Sequence, residues 1–383
     1  MTTCDSASNS RHSLDHLPWL FSPAVDLATF GGSALVALAM LPIGAAFGFL
    51  HGETPGWTWV ATILLIDVAH VYSTGFRVYF DGAELRRRPW LYGLTPVLAF
   101  AIGGAIYSES VTLFWSLLAY LAVFHFIRQQ YGWVALYRSR EHDAESVGWW
   151  IDASAIYLAT LYPLIHWHAH LPRHFWWFAE GDFIRLPAVL ATIALPLYWA
   201  SMLAYAARSL HRGFRHGAWN PGKDIVVLTT AVCWYIGIIT FNSDYAFTVT
   251  NVIIHGVPYM VLIYWFRWCR IAETSENTSG SEAGNVSAHP SGPTSRWQTN
   301  AGRVAMFLGV VWMLAYAEEL LWDFGIWHER GWLFAWMPGG FADSAGETLA
   351  EASVWLAPAL AVPQITHYVL DGFLWRRRQR ASS

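Results

Sequence analysis

The segment VTLFWSLLAYLAVFHFIRQQYGWVAL, residues 111–136, decides the fold class. It is long enough to cross the apolar core of a bilayer, which requires roughly 20 mostly apolar residues per helix. Its second half nevertheless places His125, Arg128 and Gln129 in the same helix. Because polar side chains inside a membrane are costly, their presence there indicates a function. The segment therefore predicts a membrane helix that carries part of a functional site.

The composition of the whole chain points the same way. Hydrophobic residues make up 55% of the 383 residues and charged residues 13%, about half the charged share of a soluble domain. Such a chain has too little charge to cover a water-facing surface. The net charge of −4 argues against nucleic acid, which requires a basic face. The three scattered cysteines predict neither a disulfide framework nor a zinc ribbon.

Apolar segments of sufficient length predict an all-α bundle of about ten membrane helices. The predicted spans are 27–49, 57–79, 90–107, 111–136, 147–166, 184–207, 224–241, 245–266, 303–325 and 351–375. The Ser/Gly/Pro-rich composition of residues 267–302 predicts a disordered loop. The chain thus divides into an N-terminal segment (1–26), helices 1–8 (27–266), this loop (267–302), helices 9–10 (303–375) and a basic tail (376–383).

Arginine placement orients the predicted bundle. Of the 23 lysines and arginines, all but Arg173, Arg185 and Arg330 belong to the N-terminal segment, to the inner ends of even-numbered spans or to the loops that follow them. By the positive-inside rule, both termini and the disordered loop face the cytoplasm. We therefore expect an integral protein of the bacterial inner membrane.

Four even-numbered spans each carry a histidine with a polar companion on the same helix face. The pairs are Asp67 with His70, His125 with Gln129, Asn251 with His255, and His367 with Asp371. All four spans run from outside to inside. The distance from each histidine to the next arginines puts the imidazoles roughly 10–20 Å above the cytoplasmic boundary. We therefore predict that His70, His125, His255 and His367 converge on a transition-metal site.

The companion residues are candidates for catalysis or for orienting the ligands. Neutral imidazole suits iron, zinc and copper, and carboxylates complete non-haem iron sites. Asp67 and Asp371 are therefore candidate ligands or, equally, acceptors that orient the imidazoles. Arg77 and Arg128 are candidates to hold a phosphate or carboxylate, with Arg128 facing inward; simple extension to the headgroup region is the alternative. Gln129 and Asn251 complete the candidate catalytic set.

A second histidine group lies at the end of the fifth span. His166, His168 and His170 form an HxHxH pattern, which could bind a metal if the segment were extended. The neighbouring Trp167 and Trp176 favour instead an interfacial stretch in the aromatic belt.

The function predicted from these residues is metal-dependent oxidation of a hydrophobic small molecule or lipid. The metal is expected to be iron, mononuclear or dinuclear, supplied with electrons by a donor on the cytoplasmic side. Four histidines drawn from several spans are similar, in architecture and ligand count, to the carotenoid-cleaving membrane dioxygenases with one histidine-bound iron. No motif aligns with that family, so no residue role is transferred from it.

Other interpretations use the same side chains. A transporter or proton-coupled permease would use the His, Asp and Arg residues as a pathway. An electron-transfer protein would use facing histidines as axial ligands of haem. Any single histidine could also be a core residue hydrogen-bonded to a neighbouring helix. The sequence contains no P-loop and no HExxH motif, so nucleotide-driven work and zincin-type proteolysis are unsupported.

Overall fold

The computed structural model describes residues 17–52, 54–141, 145–269, 293–334 and 346–374, excluding the side chains of 269, 293–300 and 346–353. Within these ranges the chain is helical and contains no strand. Its long helices are α1 Pro23–Ala46, α2 Gly56–Arg77, α3 Pro89–Glu109, α4 Val111–Arg138, α5 Ser146–Ala169, α6 Ala188–His216, α7 Pro221–Thr240, α8 Asp244–Trp268, α9 Pro293–Trp322 and α10 Gly346–Leu374.

Eight helices in the described part of the chain are long and apolar enough to cross a membrane. They are α1 to α4, α6 to α8, and the segment Ala301–Trp327 that includes most of α9. The predicted spans 147–166 and 351–375 coincide with α5 and α10, which are helical but are not among the eight. The helices indicate an integral membrane protein. The count of ten spans, the orientation and the bacterial inner membrane stay predictions.

Parts of the predicted organisation lie outside the described residues. These are most of the N-terminal segment, the centre of the predicted disordered loop, and the basic tail, at positions 1–16, 270–292 and 375–383. On either side of the loop's centre the chain is helical, through Cys269 and again from Pro293.

Two of the histidine-bearing helices contain π-helical turns just before the histidine. Val60–Val68 precedes His70 in α2, and Thr248–Val252 precedes His255 in α8. A π turn inserts extra backbone per turn and is often found at functional sites. The wider turns change the direction in which the following side chains point. A regular period of about 3.6 residues therefore does not predict which side chains of α2 and α8 share a helix face.

The chain divides into two compact units. Unit 1 comprises Met1–Thr62, Trp115–Pro258 and Asp371–Ser383, and unit 2 comprises Ile63–Phe114 and Tyr259–Leu370. The boundaries fall inside α2, α4, α8 and α10, which are the four helices that carry the predicted metal ligands.

The core of unit 1 is built by close contact between neighbouring helices. The rings of Tyr162 on α5 and Tyr198 on α6 lie 5.1 Å apart, beside Ala194. Gly237 on α7 faces α8 so closely that a Cβ atom there would lie 1.9 Å from the Thr250 hydroxyl oxygen. A side chain at this position would push α8 away, so the glycine permits the approach that positions the start of α8.

A buried ionic cluster joins α5 to α4 and α7 in unit 1. Asp152 is 2% exposed, and its Oδ2 atom lies 2.6 Å from Arg138 Nη1 and 2.8 Å from Lys223 Nζ. Lys223 Nζ also lies 2.7 Å from Glu141 Oε1. Charges buried in this way are tolerated when they are paired and hydrogen-bonded.

In unit 2, the C-terminal half of α2 packs on α9. The rings of Phe76 and Phe307 lie 5.0 Å apart, and the indole nitrogen of Trp312 donates to the backbone carbonyl of Leu65 at 3.0 Å. These contacts hold the histidine-bearing part of α2 against α9.

The arginine asymmetry makes the topology testable. Reporter fusions at position 285 and at the C-terminus should report the cytoplasm, and fusions at positions 170 and 340 should report the opposite side, because positively charged loops are retained inside. Paired alkaline phosphatase and green fluorescent protein fusions would measure this. A cytoplasmic signal at position 170 would contradict the ten-span arrangement.

Candidate metal centre

All four predicted ligands are withdrawn from solvent. The exposed fractions of His70, His125, His255 and His367 are 1%, 2%, 0% and 1%. Three buried histidines, His70, His125 and His255, offer ring nitrogens that could hold a metal ion. Imidazole is the side chain most often used for such a purpose, and the four residues fall into one pair in each unit.

Unit 1 contains the pair His125 and His255. Their ring centroids lie 5.1 Å apart with an interplanar angle of 90°. The carboxylate oxygen Oδ2 of Asp371 lies 3.8 Å from His125 Nδ1, which is just beyond hydrogen-bond range. The pair thus has a carboxylate beside it.

Side chains from α4 hold His255 in place. The ring of Phe126 stacks on the imidazole at a centroid distance of 3.6 Å and an angle of 9°. The Gln129 amide nitrogen donates to the backbone carbonyl of His255 at 2.8 Å. In a regular helix, that carbonyl would accept a hydrogen bond from the backbone N–H of the residue after Pro258. The additional donor, Gln129, lies on α4 and therefore links α4 to α8 at His255.

Asn251, the other predicted companion of His255, is turned toward its own helix. Its amide nitrogen donates to the backbone carbonyl of Phe247 and to the Thr250 hydroxyl, at 3.0 Å each. Its carbonyl oxygen is buried and has no hydrogen-bond partner among the described residues. This acceptor is therefore available for a proton donor from outside the described part of the chain.

Unit 2 contains the pair His70 and His367. Their ring centroids lie 4.8 Å apart at an interplanar angle of 84°. Asp67 Oδ1 lies 3.6 Å from His70 Nδ1. His367 Nδ1 shares a 2.7 Å hydrogen bond with the Thr74 hydroxyl, which lies 3.1 Å from the Tyr259 hydroxyl. Each unit thus holds two imidazoles in edge-to-face contact with an aspartate beside one of them.

Three of the four Nδ1 atoms lie near a polar group. In His70 and His125 this atom is nearest an aspartate, and in His367 it is bonded to Thr74. Histidines that ligate metals through Nε2 commonly hydrogen-bond an acceptor with Nδ1, which fixes the tautomer and the ring orientation. At 3.6 and 3.8 Å the carboxylates of Asp67 and Asp371 lie beyond hydrogen-bond range of these nitrogens, so both roles, ligand and orienting group, stay predictions.

The two predicted arginines lie apart from the histidine pairs. Arg77 Nη1 lies 3.5 Å from Glu84 Oε2, and its guanidinium covers the ring of Phe266 at 4.3 Å. Arg128, expected to face inward, is exposed. It donates a hydrogen bond to the Tyr157 hydroxyl and lies 4.9 Å from the centroid of the Tyr131 ring. Residues three apart are offset by about 60° around a helix, and the long side chain of Arg128 extends from there to the rings of Tyr131 and Tyr157.

The HxHxH segment is helical up to Ala169. His166 and His170, one turn apart, stack at a centroid distance of 4.0 Å, and His168 Nδ1 shares a 2.7 Å hydrogen bond with the Leu164 carbonyl. The extended conformation that the metal interpretation required is absent from this segment.

Sequence reasoning missed acidic residues on the ninth span. Glu318 and Glu319 are 3% and 8% exposed, and Asp323, just after α9, is 6% exposed. The rule that singled out the other spans, an ionisable group at membrane depth, applies equally to the pair of glutamates in AYAEELLW and would have found them.

Comparison of the chain with protein-family models, with curated proteins and with solved structures gave no match.

Proposed function

We propose that the protein is a membrane-embedded, metal-dependent oxidoreductase that acts on a lipid-soluble substrate, with iron as its metal. The observation that supports this proposal is a pair of buried imidazoles in each unit, with an aspartate or a threonine hydroxyl near Nδ1 of His70, His125 and His367. Such surroundings leave Nε2 as the ligand atom and keep the imidazole neutral or hydrogen-donating toward its support.

The burial of the histidines supports oxidation over hydrolysis. A hydrolytic metal centre needs a supply of water, whereas these imidazoles are at most 2% exposed and lie in apolar helices. Oxygen and lipid-soluble molecules partition into such surroundings, and imidazole ligands suit iron. When bound, iron would supply the ability to activate oxygen. Electrons, where needed, would come from a donor on the predicted cytoplasmic side.

The protein's own side chains would fix the ligand geometry. Phe126 and Gln129 restrain His255 from one side. His367 is restrained by its hydrogen bond to the Thr74 hydroxyl, which in turn is bonded to the Tyr259 hydroxyl. Ligands held by packing and by outer hydrogen bonds keep a metal in a single geometry. The unpartnered Asn251 carbonyl oxygen would accept a hydrogen bond from a hydroxyl or protonated group of a bound substrate.

The edge-to-face contact inside each pair disfavours haem. Rings in contact at centroid distances of 4.8 and 5.1 Å leave no gap for a porphyrin between them, as two axial ligands would require. The second candidate function is a proton-coupled transporter, which the buried Glu318 and Glu319 favour because ionisable groups in spans often form proton pathways.

Lipid extracts of cells with and without the protein, grown with and without oxygen, would separate these functions. We expect one lipid-soluble species to change in an oxygen-dependent way, and the change to vanish in His255→Ala while persisting in His166→Ala. Chromatography with mass spectrometry provides the measurement. Identical extracts, together with movement of protons or a polar solute across proteoliposomes, would establish the transporter instead.

A further inference from the structure

Two side chains in unit 2 form a polar pair within the predicted spans. The Gln364 amide nitrogen on α10 donates to Glu318 Oε1 on α9 at 3.2 Å. The indole nitrogen of Trp322 donates to the same oxygen at 3.1 Å. Glu318 and Gln364 are 3% and 9% exposed. The pair is therefore enclosed by protein.

Each member of the pair keeps one oxygen without a partner. Glu318 Oε2 and Gln364 Oε1 are both buried and make no hydrogen bond within the described part of the chain. Two buried acceptors without a donor are costly, since neither can donate to the other. A proton on Glu318 Oε2 would satisfy both, because the O–H group would donate to Gln364 Oε1 while the Gln364 amide donates to Glu318 Oε1. The carboxylic acid and the amide would then share two antiparallel hydrogen bonds.

Other acidic residues lie close to Glu318 along the chain. Glu319 follows it directly, and Asp323 comes just after α9. Both are buried, with exposed fractions of 8% and 6%. Carboxylates that lie near one another oppose the addition of further negative charge, so a neutral Glu318 adds no charge to this acidic segment.

We propose that Glu318 is a proton-binding residue that holds an exchangeable proton in a cyclic acid–amide pair with Gln364. The proton enters from solvent onto Oε2 and returns to solvent on release, leaving a carboxylate whose Oε1 keeps its amide and indole donors. This inference goes beyond the proposed function and does not depend on it, because it rests on the contacts of Glu318 and Gln364, which involve none of the four histidines.

Infrared difference spectroscopy of the full-length protein in lipid tests the proposal. The wild type minus Glu318→Gln spectrum at neutral pH should contain the carbonyl band of a protonated carboxyl group, and this band should move in D₂O. The exposed Glu329, with 64% of its side chain accessible, supplies the matched control, since Glu329→Gln should leave the band unchanged. Absence of the band from the difference spectrum would show that Glu318 is ionised and would overturn the proposal. A band that does not move in D₂O would show that the proton on Glu318 does not exchange with solvent, which would also overturn the proposal.

The partner residue provides a second, independent readout. Gln364→Leu should move the Glu318 band to higher wavenumber, because the carbonyl oxygen loses a hydrogen bond. The exchanged pair Glu318→Gln with Gln364→Glu should regain a protonated band, since it rebuilds the acid–amide pair in the opposite direction. If Glu318→Gln does not fold, Gln364→Leu still decides the matter: an unshifted band overturns the pairing.

Discussion

Replacement of His255 by alanine should remove most of the transition metal that purifies with the wild-type protein. His70→Ala, His125→Ala and His367→Ala should have the same effect, because a lost imidazole leaves an open coordination position in a buried site that water fills poorly. Metal analysis of detergent-purified protein would measure the loss. His166→Ala is the control, since that histidine stacks on His170 in α5 and should leave the metal content unchanged.

Full metal loading in all four alanine variants of the buried histidines would exclude the proposed metal centre. Asp371→Asn refines the test, because asparagine has nearly the same shape and lacks the negative charge. If Asp371 orients His125, the variant should retain most of its metal and lose about 10–100-fold in metal affinity or turnover. A loss of metal as complete as in His255→Ala would instead identify Asp371 as a direct ligand.

Asp152→Asn should lower the free energy of unfolding far more than the substitution of an exposed acidic residue would. The carboxylate is 2% exposed and contacts Arg138 and Lys223 at 2.6 and 2.8 Å, so its neutralisation removes the anion closest to Arg138 and leaves Lys223 with Glu141 alone. Breaking a buried pair in this way costs about 3–5 kcal/mol. Unfolding in mixed micelles by titration with sodium dodecyl sulfate would measure the free energy of unfolding.

Glu145→Gln is the matched control for that experiment. Glu145 lies 4.0 Å from Arg208, a cation that also lies 3.9 Å from Asp152, but its side chain is 78% exposed. Exposed ion pairs contribute about 0–1 kcal/mol, so this variant should unfold nearly as the wild type does. If both variants lose an equally small free energy of unfolding, solvent must reach the ionic cluster around Asp152, and the prediction is wrong.

Membrane character could be predicted because it depends on local composition. The predicted spans 111–136 and 245–266 correspond to helices Val111–Arg138 and Asp244–Trp268, with ends that differ by two residues or fewer. Hydropathy sums over consecutive residues and requires no knowledge of their neighbours in space. Burial of the four histidines followed from the same reasoning, since a polar group in an apolar helix must turn away from lipid.

The faces of individual helices could be predicted less well. A regular period placed Arg128 inward with His125, and the structure shows it exposed and bonded to the Tyr157 hydroxyl. In two other helices, α2 and α8, the π turns Val60–Val68 and Thr248–Val252 interrupt the regular period. Each π turn contains extra backbone, and the pattern of apolar and polar residues does not reveal it. Glu318 and Glu319 were overlooked, although their positions in an apolar span are visible in the sequence.

The sequence by itself determined which segments are apolar enough for a membrane and which side chains are too polar to face it, because both properties belong to the residues. The tertiary structure alone decided the partners. Asp371 was expected to serve His367, four residues away on the same face, yet its carboxylate lies beside His125, while His367 bonds to Thr74, 293 positions away in the chain. Contacts of this kind depend on how separate helices pack, and helical periodicity carries no information about which helix lies opposite.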